Sequence, residues 1–153
     1  MQININSKRS INKKLFMNFL LKFTIDSGLI GINQSKINWS NYANFQISES
    51  LFYAENNNLY LRGKVTLNIE NLDEIYRFFN TPKKSRTILK KIEFDFKYNI
   101  DQEEMYINAI KVDNEINESL VSYLSKPISK KKLFNNKIYF KNLFNKIFQL
   151  YAG

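Results

Sequence analysis

Apolar side chains fall on every second residue in three separate stretches of this chain, a period that belongs to extended backbone rather than helix. Leu15, Met17, Phe19, Leu21, Phe23 and Ile25 form the first series. Leu59, Leu61, Val65, Leu67 and Ile69 form the second, and Ile92, Phe94, Phe96, Tyr98 and Ile100 the third. Successive side chains of a strand point to opposite faces, so each stretch has one apolar face and one polar face. Strands of this kind, laid side by side, make a sheet with one apolar surface. What covers that surface is the functional question.

Composition narrows the answer by exclusion. The 153 residues contain no His and no Cys. Disulfides, thiolate nucleophiles, Ser-His-Asp triads and His/Cys zinc sites are therefore ruled out. With four Gly in the whole chain, no glycine-rich phosphate loop can be written. The carboxylate groups Asp73/Glu74, Asp101/Glu103/Glu104 and Asp113/Glu115 fall at expected turns and helix starts, where solvation and the helix dipole favour acids. Asp101-Gln102-Glu103 is too short for an EF-hand loop. The chain reads as a non-enzyme that needs no metal, no cofactor and no small-molecule substrate. At 44% hydrophobic residues it reads as folded, and 153 residues suit a single domain.

The formal charge is +9, from 23 Lys and Arg against 14 Asp and Glu. Such a surface attracts nucleic acid or anionic headgroups. The same excess also follows from A/T-rich codons, which favour Lys, Asn, Ile, Phe and Tyr. Only Arg9, Arg62, Arg77 and Arg86 are arginines, whereas phosphate and base readers lean on Arg forks. Nucleic acid is not expected as a partner. The placement of charge is more specific: no acid follows Glu118, while Lys126, Lys130, Lys131, Lys132, Lys137, Lys141 and Lys146 crowd the end. No apolar run approaches the roughly 20 residues that span a bilayer. Leu15 to Ile25 behind Lys13 and Lys14 has the alternation of a strand and no cleavage site typical of a signal peptide. An export signal or membrane anchor would thus lie outside these residues.

The order of elements follows from the period and the breakers. Strands are expected at 2–6, 13–26, 29–39, 45–53 and 59–70, making an antiparallel meander over 1–70. Asp26-Ser27-Gly28 and Asn56-Asn57-Asn58 read as turns, because Gly and Asn tolerate positive φ. Ile30 and Ile32 are out of phase with Ile37 and Trp39, which calls for a bulge near 33–35. Glu49 interrupts the apolar face shared by Phe45, Ile47, Leu51 and Tyr53. The period then changes: Leu72, Ile75, Tyr76 and Phe79 make a helical stripe at 71–81, opened by Asn71 with Glu74 and stopped by Pro82. A β-hairpin is expected at 88–113. A helical segment at 115–152 follows, with one helix near 115–124 and another near 140–151. The fold class is mainly β (α+β): a curved antiparallel sheet of about six to seven strands with three helices.

Six strands of about ten residues would span roughly 28 Å by 33 Å, and three helices about 10 Å wide cover that area only if all pack there. A partly open apolar trough is one outcome and a closed core the other. Its wall would consist of Phe19, Leu21, Phe23, Phe45, Ile47, Val65, Leu67, Phe94, Phe96 and Tyr98. Lys83, Lys84, Arg86, Lys90 and Lys91, with Lys130, Lys131 and Lys132, form a basic surface: a solvated loop, or a contact for lipid headgroups or acidic protein. The last helix either caps the sheet or lies in a membrane interface.

Several stretches carry a resemblance. Leu59-Tyr-Leu-Arg-Gly-Lys-Val-Thr-Leu-Asn-Ile, Asn71-Leu-Asp-Glu-Ile-Tyr-Arg-Phe-Phe and Thr81-Pro-Lys-Lys resemble the C-terminal part of AsmA-like proteins of A/T-rich alphaproteobacteria. Lys91-Ile-Glu-Phe-Asp-Phe-Lys-Tyr-Asn, Ile110-Lys-Val-Asp-Asn and Tyr151-Ala-Gly add to the likeness, which covers about residues 45–153. The resemblance implies a C-terminal section of a larger envelope protein on the periplasmic face of the inner membrane. Its sheet would line a groove for phospholipid or another envelope lipid, serving outer-membrane biogenesis and lipid homeostasis. The family's N-terminal anchor and long repetitive middle have no counterpart here. The alternatives are a structural β-domain that pairs with another envelope protein and a basic nucleic-acid-binding module using Tyr60 and Tyr106.

Overall fold

A computed structural model describes residues 1–7, 17–129 and 136–152. Its order is β1 (Gln2–Ser7), β2 (Met17–Asp26), β3 (Leu29–Gly31), β4 (Ser35–Trp39), β5 (Ala43–Glu55), β6 (Asn58–Ile69), α1 (Leu72–Phe79), β7 (Lys91–Asn99), β8 (Glu104–Val112), β9 (Glu115–Ile116), α2 (Glu118–Leu124), β10 (Ile128–Ser129) and α3 (Lys137–Ala152). All strands join one antiparallel sheet of ten strands. The mainly β meander with three helices is the architecture the alternation predicts. The strand count is higher than six to seven because β3 and β4 share one position between β2 and β5, while β9 and β10 are short strands on β8.

Local chemistry sets the connections. Ser27-Gly28, Asn56-Asn57 and Asp113-Asn114 all have positive φ at both positions, as the two-residue turns of twisted hairpins require. Each helix is opened by an asparagine whose Oδ1 accepts a backbone N–H: Asn71 from Glu74, Asn117 from Leu120 and Asn136 from Tyr139. Asn80 ends α1 in the left-handed region at φ 55°.

Three pairings shift register: β2 with β4, β5 with β6, and β7 with β8. The pairing of β5 with β6 shifts between Ser48 and Leu51, where Glu49 adopts φ 51°. Glu49 is therefore the bulge residue, not an interruption of one continuous face: Leu51 and Tyr53 turn to the opposite side from Phe45 and Ile47. Beside it the expected fault near 33–35 is a full break between β3 and β4, with Gln34 at φ 59°. Ser50 joins the two irregularities: its Oγ accepts Ile32 N–H at 2.6 Å and its own N–H donates to Asn33 Oδ1 at 2.6 Å. Gly31 and Gly63 flank Ser50, and a Cβ on Gly63 would lie 3.1 Å from the Phe96 ring. These irregularities line up across the sheet at Gly31, Ser50, Gly63 and Phe96, a crease in the hydrogen-bond ladder.

The described helices all lie on one side, hereafter the first face. Trp39, Ala43, Leu67, Ile92, Ile110 and Val112 from the strands meet Ile75, Phe79, Leu120, Leu143, Ile147 and Phe148 from the helices in one buried cluster. Phe79 is its hub, with ring centroids 5.6 Å from Trp39, 4.6 Å from the stacked Phe144 and 6.0 Å from Phe148. Asn145 of α3 fastens the end of α1, donating to Phe79 O at 2.9 Å and accepting from Thr81 Oγ1 at 2.7 Å. Tyr76 donates its hydroxyl to Thr87 O and accepts Thr87 N–H at 2.9 Å, pinning the loop before β7.

Phe79→Ala should lower unfolding free energy by about 3–5 kcal/mol, read by urea denaturation. Burial holds the Tyr76 phenol above its ordinary pKa. A raised folded pKa stabilises the fold fully below about pH 10, and that part is lost as pH climbs through the higher folded value. Stability measured across that alkaline range should therefore fall, and Tyr76→Phe should make the fall shallower.

Candidate functional site: an apolar sheet face with a partial roof

The register places the residues of the first face in rows. Leu67 opposes Ile92 and Phe45, and Val65 opposes Phe94 and Ile47. Beyond the crease, Leu61 opposes Phe52 and Tyr98, Phe52 opposes Ile30, and Ile30 opposes Ile25. Phe23 and Leu21 continue the face on β2, opposite Ile3 and Ile5 of β1. One apolar surface thus runs from the helix-covered end of the sheet to its far edge.

The helical roof stops before that surface does. Half-buried strand residues packed against the cluster include Phe45, Ile69, Phe94, Met105 and Ile107. Past them, Ile3, Ile5, Ile30 and Leu59 are 44%, 47%, 40% and 43% exposed, whereas Leu67 is 5% exposed. Phe19, Leu21, Phe23, Ile25, Phe52, Leu61 and Tyr98 are half-buried.

The predicted wall therefore divides. Phe19, Leu21 and Phe23 lie on the open region, with Ile47, Val65 and Tyr98 half-buried along it. Leu67 is sealed beneath the helices, and Phe96 is 7% exposed because its ring lies across Gly63. Both leave the wall. Phe45 and Phe94 pack against the core margin. The register puts all ten of the predicted wall residues on the first face, while Leu51 and Tyr53 fall on the other; the alternation carried no information about where the roof ends. Ile25 and Leu61, which the alternation put on the apolar face, belong to the wall as well, as do Ile3, Ile5, Ile30 and Phe52; Phe52 was missed because the Glu49 bulge reverses the face of β5 beyond it.

The basic residues are dispersed. Lys83, Lys84 and Lys90 are exposed, and Lys91 pairs with Glu93 at 3.2 Å. Arg86 donates to Thr81 O at 3.1 Å and lies 5.6 Å from the Tyr76 ring centroid, which ties it to the fold. Lys84 shares a polar hollow of about 400 Å³ with Asn142, Asn145 and Lys146. Lys130, Lys131 and Lys132 lie outside the described residues, as do 13–16 at the start of the long expected strand.

The second face is polar but not empty of rings. The bulge adds Tyr53 to Tyr60 and Tyr106: Tyr53 and Tyr60 stack at 5.5 Å, and Lys97 sits 4.1 Å from the Tyr60 centroid. Acids balance this group, with Lys97 on Glu55 at 2.7 Å and the Tyr106 hydroxyl donating to Glu104 at 3.0 Å. The Glu104 bond is the chief reason that the Tyr106 phenol titrates above its ordinary range. A shallow hollow of about 370 Å³ on this face is lined by Leu20, Lys22, Lys36, Gln46, Ser48 and Thr66 among others.

Among the described residues, no three His, Cys, Asp or Glu side chains gather to hold a metal, and no helix is long and apolar enough to cross a membrane. No protein-family model matches the chain, nor does any curated protein or solved structure.

Substitutions should separate the two regions. Phe23→Ser should cost no more than about 1 kcal/mol and reduce binding of an apolar dye, whereas Leu67→Ala should cost about 2–5 kcal/mol. Thermal unfolding with parallel dye titration reads both.

Proposed function

We propose that this chain is a non-enzymatic β element that holds the acyl chains of a phospholipid or another envelope lipid against its open first face. One observation carries this reading: the apolar rows continue past the helical roof to Ile3, Ile5 and Ile30, where they are left exposed. Exposed contiguous apolar surface on a folded protein marks a place where something else binds. An open sheet face suits a flexible hydrocarbon chain, which needs contact along its length rather than an enclosing pocket. Several aligned rows supply that contact, at about 25 cal/mol for each Å² removed from water. The resemblance to AsmA-like proteins directs the reading to envelope lipids and to the periplasmic side of the inner membrane.

The test is lipid capture. Protein purified in mild detergent should carry phospholipid visible by native mass spectrometry, and delipidated protein should bind a fluorescent fatty acid. Phe23→Asp and Phe52→Asp should each lower that binding at least tenfold, because a carboxylate in the apolar row must be desolvated. Lys22→Asp, on the opposite face, should leave it unchanged. Monodisperse delipidated protein that binds no acyl probe would refute the proposal.

A further inference from the structure

The two edges of the sheet are finished differently. At one, β8 is flanked by the two-residue strands β9 and β10 with α2 between them in the chain, a short, interrupted border that offers little backbone for pairing. At the other lies β1, Gln-Ile-Asn-Ile-Asn-Ser, six residues without charge, Pro or Gly. Natural edges usually carry such residues as protection against pairing.

Hydrogen bonding shows which groups β1 presents. Met1 N donates to Ile25 O at 2.8 Å, and Ile25 N donates to Met1 O at 2.8 Å. Bonded and non-bonded pairs alternate along an antiparallel ladder, and the register continues through Gln2 with Thr24 and Ile3 with Phe23. The odd residues of β1 thus bond inward to β2. Gln2, Asn4 and Asn6 direct their backbone N–H and C=O groups outward, where no strand is paired among the described residues.

We propose that β1 pairs antiparallel with β1 of a second copy of this chain, centred on Asn4, joining two sheets into one. The strand is self-complementary in this register. Asn4 meets Asn4, Gln2 meets Asn6, and the outward N–H and C=O groups of all three are satisfied by their counterparts. Ile3 meets Ile5 on the first face, so exposed isoleucines cover one another. The pairing is isologous and uses the only long free edge among the described residues, so assembly closes at a dimer instead of extending into a fibre. Charge opposes it weakly. Each copy carries +9. Yet the nearest strand lysine, Lys22, pairs with Asn4, which puts the two Lys22 backbones about 14 Å apart, beyond the screening length of about 8 Å at physiological salt. Association should therefore strengthen as salt is added.

Analytical ultracentrifugation of the delipidated 153-residue chain reads the result independently of lipid binding. Across a rising concentration series the mass should approach twice that of the monomer, at lower concentration in 0.5 M than in 0.05 M NaCl. Asn4→Pro removes only an outward N–H, and Asn4→Lys places two like charges at the twofold axis; both should stay monomeric with an unchanged circular dichroism spectrum. The native chain has no cysteine, so Asn4→Cys should link to itself with a short thiol cross-linker. Gln2→Cys should not, since its counterpart lies about 13 Å along the strand. A monomer at every concentration, or an Asn4→Pro variant that dimerises like the native chain, would overturn the proposal.

Discussion

The enclosure of Phe79 is the interaction on which the structure rests. Its ring, 1% exposed, touches Trp39 from the sheet, Phe78 from its own helix and Phe140, Phe144 and Phe148 from α3. Aromatic pairs at these spacings each add about 0.5–1.5 kcal/mol beyond the area they bury. The hub joins α1 and α3 to each other and to the sheet, and Ile75, Leu143, Ile147 and Phe148 extend the same buried cluster around it. The hydrogen bonds of Asn145 then fix where the roof sits. They tie α3 to the end of α1 above the buried cluster, and Ile3, Ile5 and Ile30 at the other end of the sheet stay exposed.

Much of this was legible in the residues. Two-fold alternation identified the strands of β2, β6 and β7 and the face each presents, since period 2 has no helical solution. The stripe Leu72, Ile75, Tyr76 and Phe79 identified α1 for the converse reason. The hairpin at Asn56-Asn57 followed from backbone sterics alone. What stayed hidden was tertiary. Nothing local marks Glu49 as a bulge, because a charged residue in an apolar run looks the same whether it is bulged or simply exposed. Its φ reverses the side of Leu51 and Tyr53, and with them the membership of both faces. Phe96 looked like any other wall residue, and the close approach of Gly63, directly opposite it on the neighbouring strand, accounts for its burial.

On the reading proposed above, the fold divides one surface between two tasks. Where the helices lie, apolar burial stabilises the chain. Where they do not, the same kind of side chain is available to a ligand, and the outer border of β1 is available to another strand. Both open features sit at one end of the molecule, away from the aromatic hub. Changes there are predicted to alter what the protein binds more than whether it folds.

The crease has a consequence for sequence change. Backbone geometry at Glu49 and Gln34 and the bare Cα of Gly63 hold the crease, and none of the three is a side chain of the open rows. Those rows are free to drift among Ile, Val, Leu and Phe, tuning the width and greasiness of the platform. Gly63, Ser50 and Phe96 form the ridge that such drift would leave untouched.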